Sequence, residues 1–102
     1  MVGAMARSLL ESLRFDWFFL GASGLCADGL FDYSLEDTDI KRTLMAQSSR
    51  TVALVDGAKF GRRSIVRIDD LNGIDMLVTD ARPEGPVAEA LASAGVDVWP
   101  VD

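Results

Sequence analysis

This sequence predicts an α/β fold, with a mostly parallel sheet flanked by helices. Three observations carry that expectation. Short, continuous apolar runs of strand length alternate with segments whose apolar residues recur at helical spacing. The apolar runs end in loops of small or charged residues, Gly21-Ala22-Ser23-Gly24 and Asp56-Gly57-Ala58-Lys59-Phe60-Gly61. A helical segment separates those two loops, the order expected of strands joined by crossover connections.

The elements follow in chain order. Residues 4–14 place Met5, Ala6, Leu9, Leu10 and Leu13 on one side and Arg7, Glu11 and Arg14 on the other, an amphipathic helix. Phe15 to Leu20 reads as a buried, aromatic-rich strand, and Gly21 to Tyr33, with its glycines and aspartates, as a long loop. Ser34 followed by Asp37 is a capping pair, and Glu36, Asp37 and Asp39 crowd a first turn where the helix dipole favours negative charge. Ile40, Leu44 and Gln47 share a face, so this helix is expected over 35–49. Thr51 to Val55, Ser64 to Ile68 and Met76 to Thr79 are expected strands, the last after the turn Asn72-Gly73. Pro86 suits a first helical turn, Val87, Ala90, Leu91 and Ala94 form its apolar face, and Gly95 ends it. Val96 to Val101 is the final strand. The predicted order is α-β-α-β-β-β-α-β, with no internal repeat.

Composition removes several function classes. A length of 102 residues supports one domain at most. The net charge of −6 makes the chain by itself a poor ligand for nucleic acid, whose backbone needs a positive surface. With no histidine and one cysteine, a nitrogen- or sulfur-ligated metal is not expected, and Cys26 reads as a small residue in a half-buried loop. No apolar run reaches the roughly eighteen residues of a membrane span, and no secretory leader is visible, so a reduced, cytoplasmic protein is expected.

Candidate functional residues sit mostly in the loops after the strands. Gly21, Ser23 and Gly24 let a backbone approach a ligand closely and offer one hydroxyl, although the same residues make an ordinary turn. Asp28, Asp32 and Glu36 are either polyol-binding carboxylates or solvated loop and cap charges. Lys41 lies four residues after Asp37, the spacing of a surface ion pair on the helix, with Arg42 beside it. Asp56 and Lys59, directly after a buried strand, suit an anionic sugar derivative, since lysine binds phosphate as a point charge. The plainer alternative is a turn salt bridge between them, with Phe60 filling the core. Trp17 and Trp99 lie in strands and are expected in the core or at an interface.

Four blocks together carry a family resemblance: Phe19-Leu20-Gly21-Ala22-Ser23-Gly24; Gly29-Leu30-Phe31-Asp32; Glu36 with Lys41-Arg42; and Leu54-Val55-Asp56-Gly57-Ala58-Lys59-Phe60-Gly61-Arg62. In this order they resemble the C-terminal sugar-sensing domain of DeoR-family bacterial transcriptional regulators. That domain is similar to sugar-phosphate isomerases of the ribose-5-phosphate isomerase type. The resemblance implies a regulator of carbohydrate metabolism, with a phosphorylated sugar as effector. It implies an effector site at Gly21, Ser23, Gly24, Asp32, Lys41, Asp56 and Lys59, with no cofactor and no metal. The isomerases carry a proton-transferring aspartate where this chain has Ser23. Without a base to activate the hydroxyl, no catalytic residue and no enzyme are expected. The resemblance further implies that residues 1–102 are only the second half of the sensor domain. DNA would then be reached only through an absent N-terminal winged helix-turn-helix, and open apolar surface would favour a homo-oligomer. A small isomerase-like enzyme and a degenerate, non-binding fragment are the competing readings.

Overall fold

A computed structural model describes residues 8, 9 and 12–101. It contains seven strands: β1 (Phe15–Gly21), β2 (Gly24–Cys26), β3 (Gly29–Asp32), β4 (Ser48–Leu54), β5 (Val66–Asp69), β6 (Met76–Thr79) and β7 (Asp97–Pro100). Helix α1 (Leu35–Ala46) joins β3 to β4, and α2 (Gly85–Ser93) joins β6 to β7. The helix expected over 4–14 lies largely outside the described residues.

Four strands form a parallel sheet in the order β1-β4-β6-β7. The chain always steps across it in one direction, so right-handed crossovers put both helices on the same face. Leu20, Ala53, Leu77 and Val98 are aligned across the sheet, and the first three are buried with Val87 and Leu91 of α2 and Ile68 of β5. The opposite face lacks a helix among the described residues. There Trp17, Phe19, Leu54 and Trp99 are 47–58% exposed, with the Arg50 guanidinium over the Trp17 ring. The two tryptophans therefore stand on an open sheet face, outside the core.

Two expectations are corrected. Gly21–Tyr33 is not one long loop, because β2 and β3 form an antiparallel hairpin within it, every strand residue of which is buried. The third predicted strand, displaced to Val66–Asp69, leaves the parallel sheet and pairs antiparallel with β3. These strands are too short for a two-residue alternation to register, and both faces of β2 and β3 are covered. Cys26 is accordingly buried in β2. Elsewhere Ser34 Oγ accepts the Asp37 N–H and caps α1, which ends at Ala46 because Ser48 already begins β4.

The hairpin turns at Gly29, where φ is +137° and a Cβ would stand 2.2 Å from the Asp69 carbonyl oxygen. Both the backbone angle and the space demand glycine. Gly29→Ala should destabilise the domain by about 2–4 kcal/mol. Thermal unfolding followed by circular dichroism checks this, and an unchanged midpoint would contradict it.

Candidate functional site

The parallel pairing of Gly21 with Leu54 and of Leu54 with Val78 brings the carboxyl ends of β1, β4 and β6 side by side. In open α/β sheets this is the edge where ligands bind. The loops after β1 and β4 form one platform. The Gly61 N–H donates to the Leu25 carbonyl at 2.7 Å, and a Cβ on Gly24 would lie 2.4 Å from the Arg62 carbonyl oxygen. Only glycine at 24 lets the two loops close on each other. Phe60 is half-buried and packs against the core, as the plainer sequence reading had it.

Ser23 is held by the hairpin. Its N–H and its Oγ both donate to the Phe31 carbonyl, at 2.9 and 3.2 Å. Its hydroxyl proton is therefore engaged, and only the oxygen lone pairs face other partners.

Lys41 takes neither a solvent position nor Asp37 as partner. Its Nζ donates to Asp32 Oδ2 at 2.5 Å and to the Gly21 carbonyl at 2.7 Å. Asp32 Oδ1 accepts from the Tyr33 N–H at 2.9 Å. The pair is largely enclosed, with 23% of the lysine side chain and 8% of the aspartate exposed. It ties α1 to the end of β1 and to β3, so Gly21, Asp32 and Lys41 form one hydrogen-bonded group. Arg42 instead donates to the backbone carbonyls of Ile68 and Arg67, clamping β5 to α1. Asp28 pairs with Arg63 at the exposed hairpin turn, and Glu36 lies exposed in the first turn of α1.

Asp56 and Lys59 form no salt bridge. Asp56 Oδ1 caps the short 3-10 turn Gly57–Lys59 by accepting the Ala58 N–H at 2.8 Å. The preceding amide, Gly57 N–H, donates to Asp80 Oδ1 at 2.7 Å. The next four find carbonyl acceptors: Lys59 on Asp56, Phe60 on Gly57, Gly61 on Leu25 and Arg62 on Lys59. Six consecutive amides are thus satisfied internally. What this loop presents is its side chains. Among the described residues the Lys59 ammonium makes no hydrogen bond or ion pair, and the residue is half-buried.

The sequence reading missed Asp80. An acid closes the apolar run Met76–Thr79 just as Asp56 closes β4, and that shared pattern was the available signal. Asp56, Thr79 and Asp80 help line a shallow cleft of about 290 Å³. Among the described residues no three cysteine or acidic side chains converge as a metal site. Nor is any helix long and apolar enough to cross a membrane.

Comparison with known proteins agrees with the sequence resemblance. The model of the DeoR C-terminal sensor domain matches residues 1–81. The glycerol-3-phosphate regulon repressor of Haemophilus influenzae is 34% identical over 88 residues, 85% of this chain and 34% of that protein. The HTH-type transcriptional regulator GlpR of Haloferax volcanii is 33% identical over 99 residues, 96% of this chain and 39% of its own. The HTH-type transcriptional repressor GlcR of Bacillus subtilis is 30% identical over 98 residues, covering 96% and 38%. The chain thus spans a little over a third of the length of these relatives, which are named as regulators and repressors rather than enzymes. An α/β domain with satisfied loops at its strand ends, matched over most of its length by that sensor model, belongs to the DeoR family as its C-terminal sensor domain.

Proposed function

We propose that this domain is the effector-binding and oligomerisation module of a cytoplasmic DeoR-type repressor of carbohydrate metabolism, and that its effector is a phosphorylated sugar or polyol. The observation that carries the reading is Lys59. It is a cation without an internal partner, on a turn made rigid by its own hydrogen bonds, beside a hairpin loop of small residues. Lys59 takes the phosphate. Lys41, with one proton beyond its two internal bonds, and Ser23, through its lone pairs, take sugar hydroxyls. Gly21 and Gly24 allow close approach, while Asp32 and Asp56 hold the groups in place. Glycerol 3-phosphate, the compound in the name of one relative's regulon, has the phosphate and hydroxyls this arrangement would recognise.

Ligand binding would alter repression only through its difference in affinity between two states of the whole regulator. DNA would be contacted by a part of the regulator beyond these residues, since this chain carries a net charge of −6. Self-association is supported by the sheet face bearing Trp17, Phe19, Leu54 and Trp99, which carries no helix among the described residues, because parallel sheets are almost always covered on both sides.

The two lysines differ in what they do for the fold. In the longest polypeptide carrying these residues, Lys59→Ala should weaken sugar-phosphate binding by about 1.5–3 kcal/mol and leave the fold intact. Lys41→Ala should instead lower stability by about 2–3 kcal/mol, because it strands the enclosed Asp32 carboxylate. Calorimetric titration with glycerol 3-phosphate and ribose 5-phosphate, together with thermal unfolding, reads both. A Lys59→Ala protein that binds as tightly as wild type places the site elsewhere.

Sedimentation equilibrium tests the association. A mass at least twice the 11.0 kDa of the chain is expected at micromolar concentration. A single monomeric species over that range would contradict it.

A further inference from the structure

We infer that Asp80 is a positioning residue of the effector site, fixing from β6 the turn that presents Lys59. The inference rests on the proposed phosphate role of Lys59. Asp80 directly follows β6, and its Oδ1 accepts the Gly57 N–H at 2.7 Å. The neighbouring Ala58 N–H is taken by Asp56 at 2.8 Å. Two carboxylates from adjacent strand ends therefore hold successive amides at the start of a three-residue turn whose last residue is Lys59. The contact is tight: a Cβ on Gly57 would sit 2.6 Å from the Ala81 Cβ and 3.2 Å from Asp80 Oδ1. Thr79, buried just before Asp80, accepts the Ala81 N–H through Oγ1 at 3.4 Å and steadies the segment from below.

Without the Asp80 acceptor, the Gly57 N–H would need water or a new partner, and the turn would lose its link to the end of β6. Lys59 would then sample several directions, and binding a phosphate would carry the added cost of ordering it.

The sign of the effect separates positioning from plain electrostatics. A carboxylate close to a phosphate repels it, so if charge alone mattered, removing Asp80 would tighten binding. Positioning demands the opposite for Asp80→Ala. It also demands rescue by Asp80→Asn, which keeps an acceptor oxygen at nearly the same place and removes the charge.

The experiment compares wild type, Asp80→Ala, Asp80→Asn, Asp80→Glu and Lys59→Ala. Each is titrated with glycerol 3-phosphate and ribose 5-phosphate, and hydrogen exchange is measured at the Gly57 amide. Asp80→Ala should bind at least tenfold more weakly and exchange Gly57 at least tenfold faster, while Asp80→Asn stays within about threefold of wild type on both counts. Asp80→Glu retains the charge but displaces the acceptor and should follow Asp80→Ala, so it carries the comparison if the alanine protein fails to fold. Wild-type protection of Gly57 in Asp80→Ala, or binding as tight as wild type there, overturns the inference. If Asp80→Ala weakens binding but Lys59→Ala does not, the assignment of Lys59 fails, and with it Asp80's role in positioning that lysine. If Lys59→Ala weakens binding and Asp80→Ala does not, only the inference about Asp80 fails.

Discussion

Backbone hydrogen bonding in the turn after β4 is the constraint on which the site depends. A buried or half-buried N–H without an acceptor costs about 1–3 kcal/mol, which bears on the half-buried Gly57, Lys59 and Phe60, and all six amides of the turn find acceptors. Here they come from Asp56, Asp80, three carbonyls of the turn itself and the Leu25 carbonyl of the hairpin. Because one of these acceptors lies in β2 and another just after β6, the turn is locked to its neighbours on both sides. The same bonds remove the amides from any role in holding an anion. In the proposed site recognition would then fall to side chains, which is why an unengaged lysine carries more weight here than the glycine count of the loop.

A parallel arrangement operates around Lys41. Burying a lone carboxylate at the Asp32 position would be costly, and the lysine offsets that cost while its second bond secures the end of β1. Lys41 thereby joins a helix, the parallel sheet and the small antiparallel sheet. The hairpin it secures in turn holds Ser23 through the Phe31 carbonyl. The two loops differ in kind, one built on an ion pair and the other on satisfied amides, and they meet where Gly24 lies against Arg62.

Much of the architecture was legible in the sequence because its signals are local. The capping serine at Ser34, Pro86 at the start of α2, and the apolar runs of β1, β4, β6 and β7 each announce themselves within a few residues. The β2–β3 hairpin was not legible. Strands of three and four residues, buried on both faces, show neither alternation nor length, and Gly29 reads simply as a loop glycine until Asp69 is seen beside it. The loops that follow β1 and β4 were legible as well, but side-chain partners are long-range facts. Lys41 has Asp37 four residues away and Asp32 nine residues away, and helical spacing favours the former, whereas the fold selects the latter. Asp80 escaped notice because its role exists only once β4 and β6 are adjacent.

The most direct test of this account is a crystal structure of the domain, in its longest available polypeptide, with a bound sugar phosphate. The account predicts a phosphate oxygen within ion-pair distance of Lys59 Nζ, with the Gly57 N–H still on Asp80 and the Gly61 N–H still on Leu25. A phosphate seated on amides of Gly57 to Arg62, freed from those internal bonds, would contradict it.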